Sequence, residues 1–141
     1  MNHDPFNAFI DLDPQATSGP GPLAGVAVGV KSNIAVRGLP WTAGMGLRRD
    51  TIAREDAAVV ARLRAAGAKI LGTVNMHEAA LGSTTDNAFY GRTHNPHRHD
   101  YTPGGSSGGS GAAVAAGLCD LALGTDTLGS VRIPAAWNDL V

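Results

Sequence analysis

Apolar and polar residues alternate along residues 23–34, where Val26, Val28 and Val30 occupy every second position. This two-residue period predicts a β-strand, because successive side chains of a strand point to opposite faces of the sheet. Segments rich in glycine and proline lie on both sides of the run and are expected to bound the strand. Lys31 lies at the end of this predicted strand.

The following stretch changes to a helical period. Four apolar residues between positions 55 and 66 recur at helical spacing, and Gly67 follows them as a typical C-terminal stop. This pattern predicts an amphipathic helix. Residues 68–74 then predict a second short strand. Alternation of strand and helix is typical of α/β folds.

The second half of the chain predicts a further helix and strand after a long loop. Residues 76–81 favour a short helix, whereas residues 83–103 are rich in Thr, Asn, Asp, Gly and Pro and are expected to be irregular. A helix is predicted to begin at Ser107 or Gly108 and to end at the glycine after its Ala/Val-rich stretch. Residues 118–123 are predicted to return as a strand. The expected fold class is α/β, with a mixed β-sheet core flanked by helices.

Composition fits one globular domain. The 141 residues are 43% hydrophobic with a net charge of -1, so no nucleic-acid partner is expected. No segment approaches the roughly 18 apolar residues of a membrane helix, and residues 1–6 lack the pattern of a secretory leader. Cys119 is the single cysteine, which favours a buried thiol in a cytoplasmic protein. We expect a single domain over residues 1–141, with residues 1–22 as an N-terminal lead-in.

The Gly/Ser-rich run at residues 104–111 allows three interpretations. Such a run alone is typical of a flexible linker. Because it leads directly into an Ala/Val-rich helix, its free N–H groups could instead bind an anion or stabilise a developing negative charge. A nucleotide-phosphate loop is the third interpretation. It lacks the lysine of a P-loop, and residues 101–103 hardly supply the strand that precedes a dinucleotide fingerprint.

A second run, residues 124–135, contains Ser130 in a sharp turn between small residues and a proline. Its hydroxyl is either a surface turn serine or a nucleophile presented by the turn. In the second case, the N–H groups of an oxyanion site are expected at Thr127, Leu128, Gly129 and Ser130. Lys31 is the candidate base, since burial can lower a lysine pKa until the amine is neutral. The other lysine, Lys69, opens a strand and is expected to face solvent.

Three histidines, His94, His97 and His99, lie close together across an Asn-Pro pair. Their spacing matches no well-defined zinc pattern, and no cysteine accompanies them. We therefore interpret this segment as a solvated loop and predict no metal site.

Four segments together resemble the N-terminal part of the amidase signature hydrolases, which use a Ser–Ser–Lys triad. The strand 25–33 resembles the one that carries the family lysine, and Asn75-Met76-His77-Glu78 resembles another common family segment. The Gly-Gly-Ser-Ser-Gly-Gly-Ser tract and the Gly-Thr-Asp-Thr-x-Gly-Ser-x-Arg-x-Pro-Ala run follow in family order and with family-like separation. The resemblance covers about residues 23–136.

The resemblance implies a set of roles. Ser130 would be the acylated nucleophile, Ser106 the bridging serine and Lys31 the general base. The implied reaction is hydrolysis of a small-molecule carboxylic amide through an acyl-enzyme, with no metal or organic cofactor. Supporting residues would hold the nucleophile turn; they are Ser107, Asp126 and Arg132.

Two departures from the family pattern change these expectations. Leu128 stands where the family usually has glycine, and its Cβ could strain a backbone that needs a positive φ or crowd the oxyanion site. Family members also continue for a much longer chain after the position of Val141. We therefore expect a truncated domain with weak or absent activity and with uncovered sheet edges that promote self-association. A non-catalytic, partner-binding fragment is the alternative, and a nucleotide-binding module is a more distant one.

Overall fold

A computed structural model describes residues 4–141. Six strands and three α-helices form within these residues: β1 (Phe9–Leu12), β2 (Ala27–Lys31), α1 (Ala58–Ala65), β3 (Lys69–Val74), β4 (Asp86–Asn87), β5 (Gly91–Arg92), α2 (Gly108–Ala115), β6 (Leu121–Leu123) and α3 (Arg132–Trp137). Four strands form the main sheet in the order β1-β3-β2-β6. Strand β2 is parallel to β3 and β6, whereas β1 is antiparallel to β3. This mixed sheet with flanking helices confirms the predicted α/β class.

The two faces of the sheet bury two apolar clusters. Val28 and Val30 of β2 pack in a cluster that also contains Val60 of α1. The opposite cluster contains Ala112 and Ala113 of α2, and Ala27 of β2 packs against it. Because side chains alternate along a strand, Lys31 shares the α2 face with Ala27. The alternation seen in the sequence therefore directs the lysine toward the start of α2.

Helix α2 lies very close to the end of β3. A Cβ atom at Gly109 would press into the main chain of Asn75, the residue that follows β3. The Gly109 N–H donates a hydrogen bond of 3.1 Å to the Asn75 carbonyl oxygen. Glycine is needed here because no side chain fits between the two backbones. The close approach fixes the position of Ser106 and Ser107, directly before the helix.

Several elements differ from the sequence prediction. The lead-in contributes strand β1 to the main sheet, so it is part of the fold; residues 1–3 of this segment lie outside the described residues. The loop at 83–103 contains the antiparallel pair β4 and β5. The short helix expected at 76–81 is a single 3-10 turn, Glu78–Ala80, in which Ala79 has a φ of 51°. Helix α3 was not predicted, although proline is tolerated in a first helical turn.

The remaining predicted elements are confirmed with shorter bounds. The strand expected at 23–34 is β2, the helix expected at 55–66 is α1, and the strand expected at 118–123 is β6. Gly67 follows α1 with a φ of 95°, as expected of a C-terminal glycine. Cys119 is buried, and no helix of residues 4–141 is long and apolar enough to cross a membrane.

Candidate active site

Three parallel strands end at one edge of the sheet, and the candidate residues lie there. Lys31 is the last residue of β2, and Gly124 and Thr125 follow β6. The carboxyl ends of parallel strands form one edge of a sheet, which is where ligand sites of open α/β folds lie. The segment before α2 reaches the same edge, because the Ser106 hydroxyl lies 2.7 Å from the amine of Lys31. The Ser107 N–H of this segment donates to the Ser130 carbonyl oxygen at 3.1 Å.

The Lys31 amine is buried and fully surrounded by hydrogen-bond partners. Its side chain is 0% exposed, and its Nζ atom lies 2.7 Å from the Ser106 hydroxyl oxygen. It also lies 2.8 Å from Thr125 Oγ1 and 3.3 Å from the Thr125 carbonyl oxygen. An ammonium group can donate three hydrogen bonds, and three acceptors are present. The lysine is therefore satisfied without a buried carboxylate in direct contact.

Burial changes the acidity of this lysine. Loss of hydration lowers the pKa of Lys31 from 10.5 to about 8, because the charged form is penalised in an apolar environment. The Asp126 carboxylate opposes this effect, since a nearby negative charge raises a lysine pKa. Desolvation is the larger of the two influences. At neutral pH the amine is thus close enough to its pKa to take up a proton from a neighbouring hydroxyl.

Ser106 and Ser130 lie on adjacent, hydrogen-bonded segments. Ser106 is 0% exposed and its hydroxyl oxygen contacts the lysine amine. Ser130 is half-buried at the end of the turn, and no hydrogen bond within residues 4–141 involves its hydroxyl. The Ser107 hydroxyl contacts the Thr125 main chain at 3.3 Å and 3.4 Å. The fold therefore brings the predicted lysine and both predicted serines to one region.

An ion pair encloses the Ser130 turn. The Asp126 carboxylate accepts hydrogen bonds from Arg132 Nε at 3.0 Å and Arg132 Nη2 at 2.9 Å, a bidentate pair. It also accepts from the N–H groups of Gly129 at 2.7 Å and Val131 at 3.0 Å. The Arg132 contact is the largest cause of the strongly lowered pKa of Asp126. These contacts connect the start of the turn to the first residue of α3, on either side of Ser130.

The turn differs in two ways from the sequence prediction. The Gly129 N–H donates to Asp126, so it is not available to an oxyanion. The N–H groups of Thr127, Leu128 and Ser130 have no acceptor within residues 4–141. Leu128 is not among the residues with positive φ, so its Cβ does not cause the expected backbone strain. Its side chain is 90% exposed.

Several N–H groups at the start of α2 already have acceptors within the described residues. The Gly108 N–H donates to Thr85 Oγ1 at 3.0 Å, and the Gly109 N–H donates to the Asn75 carbonyl oxygen. The Ser107 N–H is bound to Ser130. Residues 104–111 are also buried, whereas a flexible linker is solvated. These contacts occupy N–H groups that a phosphate-binding loop would offer to its ligand.

Two of the three histidines contact each other, and the third contacts the residue that follows α3. His94 and His99 stack with ring centroids 4.0 Å apart, and His97 Nε2 lies 2.9 Å from the Asn138 carbonyl oxygen. Within the described part of the chain, no three His, Cys, Asp or Glu side chains are placed to hold a metal ion.

The sequence analysis missed two residues of this region. Thr125 provides two of the three acceptors around Lys31, and Asn33 Nδ2 lies 3.0 Å from the Thr125 hydroxyl oxygen. Thr125 stands within the Gly-Thr-Asp-Thr run and Asn33 stands two residues after Lys31, so both belong to segments that carry the family resemblance. Their contacts join residues 92 positions apart and depend on the pairing of β2 with β6.

Comparisons with known proteins agree on one family. The sequence profile of the Amidase family matches residues 8–141. A glutamyl-tRNA(Gln) amidotransferase subunit from Methanospirillum hungatei is 51% identical over 138 residues, which is 98% of this chain and 32% of that protein. The chain thus spans about a third of the length of the curated relatives that it matches.

Solved structures share the fold. The crystal structure of the corresponding glutamyl-tRNA(Gln) amidotransferase subunit from Thermotoga maritima matches with a TM-score of 0.88 and 39% identity, over 92% of this chain and 29% of that one. The peptide amidase from Stenotrophomonas maltophilia matches with a TM-score of 0.85 and 37% identity, over 94% of this chain and 31% of that one. By sequence and by fold, the chain belongs to the Amidase family, the amidase signature proteins.

Proposed function

We propose that this chain carries the Lys–Ser–Ser centre of an amidase-type serine hydrolase that cleaves a carboxylic amide. The observation that carries the proposal is the 2.7 Å contact between the Lys31 amine and the Ser106 hydroxyl in a fully buried position. A lysine whose pKa is lowered by burial can take up a proton from a hydroxyl within hydrogen-bond distance. Ser130, on the segment bonded to Ser107, is the nucleophile.

The reaction proceeds through an acyl-enzyme. As Ser130 Oγ attacks the carbonyl carbon, its proton passes to Ser106 and the Ser106 proton passes to the neutral Lys31 amine. The tetrahedral oxyanion is stabilised by N–H groups of the turn at Thr127, Leu128 and Ser130. The lysine proton returns through Ser106 to the leaving amine, the C–N bond breaks, and the acyl group remains on Ser130.

Water completes the cycle by the reverse proton route. It loses a proton through the bridging serine to the lysine and attacks the acyl carbonyl. The second tetrahedral intermediate then expels the Ser130 oxygen, which regains a proton, and the carboxylic acid leaves. Within this scheme the Asp126–Arg132 pair is a support for the turn, because its contacts span the residues on both sides of Ser130.

The substrate class follows from this chemistry and from the relatives. Structures similar to this chain include a peptide amidase, a 6-aminohexanoate cyclic dimer hydrolase and a subunit of an amidotransferase. One of these names refers to an amidase, one to a hydrolase and one to an amidotransferase, and the compounds that they name differ. We therefore propose a small-molecule carboxylic amide and do not assign its substituents.

A fluorophosphonate probe tests the proposal directly. The probe reacts when a serine oxygen displaces fluoride from phosphorus, so it reports an activated hydroxyl without requiring a complete substrate cleft. We expect one label per chain, mapped by peptide mass spectrometry to Ser130. Labelling is lost in Ser130→Ala and falls roughly 100-fold or more in Ser106→Ala and Lys31→Met, in line with the usual contribution of a general base.

The matched control is Ser110→Ala, another serine of the same run whose hydroxyl donates to the Leu123 carbonyl oxygen at 2.9 Å. This variant should label at the wild-type rate. Backbone amide NMR spectra of every variant establish that the fold is retained. A folded wild-type chain without a label at Ser130, or a label that survives in Lys31→Met, would contradict the proposed roles.

The open edge of β6 supports a second candidate, a non-catalytic chain that acts by binding a partner. In the described sheet, β6 pairs with β2 on one side only. A largely apolar cavity of about 180 Å³ lies beside it between α2 and α3. Association that increases with chain concentration in analytical ultracentrifugation, together with an unlabelled Ser130, favours this candidate over the hydrolase. A labelled Ser130 in a monomeric chain excludes it.

A further inference from the structure

We propose that Thr125 is a positioning residue for Lys31 and that Asn33 holds Thr125 in the required orientation. The two oxygens of Thr125 accept both N–H bonds of the neutral amine, which leaves the amine lone pair directed at the Ser106 hydroxyl. The inference rests on the proposed role of Lys31 as the base, and it adds the residues that decide which way this base faces.

The first step of the argument is a count of donors and acceptors. A neutral lysine amine has two N–H bonds and one lone pair, and Lys31 Nζ has three neighbours within hydrogen-bond distance. One neighbour, the Thr125 carbonyl oxygen at 3.3 Å, carries no proton and can only accept. One N–H bond of the amine is therefore assigned to it.

The second step concerns the two hydroxyl groups. One N–H bond and the lone pair remain for Ser106 Oγ at 2.7 Å and Thr125 Oγ1 at 2.8 Å. Two arrangements are then available. In the productive one, Ser106 donates its proton to the lone pair and Thr125 accepts the N–H bond. In the other, Thr125 donates to the lone pair and the amine faces Ser106 with a hydrogen atom, which blocks proton uptake from Ser106.

Asn33 restricts the orientation of the Thr125 hydroxyl. Its Nδ2 atom donates to Thr125 Oγ1 at 3.0 Å. This bond occupies one lone pair of the oxygen, so the hydroxyl proton cannot point toward Asn33, and the second lone pair is left to accept the N–H bond of Lys31 in the productive arrangement. Without Asn33, the Thr125 hydroxyl loses this constraint and rotates more freely. Neither Thr125 nor Asn33 needs to touch the substrate for this effect.

The same geometry predicts the direction in which each substitution shifts the pKa of Lys31. The Thr125 hydroxyl accepts a bond from the charged form of Lys31, and a hydrogen bond to a charged group stabilises the charged form. Thr125→Val removes this acceptor, so the pKa of Lys31 should fall by about 1–2 units. Thr125→Ser keeps the oxygen and should keep the pKa. Asn33→Asp places a negative charge beside the amine and should raise the pKa by roughly 1–3 units.

Lysine NMR measures these shifts directly. The chain contains two lysines, Lys31 and Lys69, so a sample with ¹³C at lysine Cε gives two signals to follow between pH 6 and 11. Ser130 labelling by the fluorophosphonate is measured on the same samples. We expect Thr125→Val and Asn33→Ala to slow labelling about tenfold or more, even above the lysine pKa, while Thr125→Ser restores it. The control is Thr17→Val, at an exposed position.

The outcomes separate this inference from the proposed function. If wild-type Ser130 labels but neither the Lys31 pKa nor the labelling rate moves in Thr125→Val, the positioning role is wrong and the hydrolase proposal stands. If wild-type Ser130 does not label, the hydrolase proposal fails, and the lysine titration still decides whether Thr125 governs the amine. If Thr125→Val unfolds, Asn33→Asp and Thr125→Ser provide the test instead: the pKa of Lys31 should rise in the first variant and stay unchanged in the second.

Discussion

The lowered pKa of Lys31 makes the acylation of Ser130 dependent on pH in a way that can be calculated. The perturbation is a change of buffer from pH 6 to pH 10. With a pKa of about 8, the neutral amine makes up about 1% of molecules at pH 6, 9% at pH 7 and 91% at pH 9. Labelling by the fluorophosphonate should therefore rise about tenfold between pH 7 and pH 9 and then level off.

An unshifted lysine gives a different curve. With the ordinary value of 10.5, the neutral amine is about 0.03% at pH 7 and still about 3% at pH 9. Labelling would then rise about 100-fold over the same interval and continue upward beyond pH 10. The position of the plateau thus distinguishes a desolvated lysine from an exposed one.

The assay is the initial rate of label incorporation, followed by intact mass at each pH. Lys31→Arg is the matched control, because a guanidinium remains charged throughout this range and cannot act as the base. Its labelling should be slow at every pH and lack the plateau near pH 9. A wild-type midpoint near 10.5, or a rate independent of pH in a folded chain, would refute the reasoning from burial.

Further predictions concern stability and the turn. The charged form of Lys31 is disfavoured in the folded chain, so the free energy of unfolding of the wild type should rise as the pH increases from about 8 to 10.5. The advantage in unfolding free energy of Lys31→Met over the wild type, measured by urea unfolding, should shrink by about 3 kcal/mol over this pH interval. Asp126→Asn weakens the contacts around the Ser130 turn and should slow labelling by up to roughly 100-fold. If labelling slows while the pH midpoint of labelling stays unchanged, Asp126 does not act through Lys31 alone. Gly109→Ala should destabilise the chain by about 3 kcal/mol or more because its Cβ meets main-chain atoms, while Gly19→Ala, which has room for a Cβ, should stay within about 0.5 kcal/mol; equal losses would contradict the packing argument.

The sequence predicts the elements whose signal is local. The alternation in β2, the glycine stop after α1 and the small residues of α2 each depend on neighbours within a few positions, and all three elements form as expected. Strand β1 was not predicted, because it is four residues long and is stabilised by pairing with β3, about 60 positions away. Helix α3 was missed because Pro134 suggests a break, although at the third helical position a proline lacks only an N–H that has no intrahelical partner.

The site residues also divide into those that local motifs identify and those that depend on contacts between distant segments. Lys31, Ser106 and Ser130 could be named from motifs, and the fold brings their segments together. The motifs do not indicate which N–H groups of the turn remain free. The Gly129 N–H donates to the Asp126 carboxylate, and the orientation of this carboxylate depends on Arg132. The contact between Asn33 and Thr125 likewise requires β2 and β6 to be neighbours, and no local sequence pattern predicts this pairing.

The most direct test of the account is the trapping of an acyl group on Ser130. The folded chain is mixed with p-nitrophenyl acetate, and the acetylated residue is mapped by peptide mass spectrometry together with the burst of released nitrophenol. The account predicts one acetyl group per chain, located on Ser130 and absent from Ser106→Ala. Acetylation at any other residue, or a folded chain that releases no burst, would contradict the claim that Lys31 and Ser106 activate Ser130.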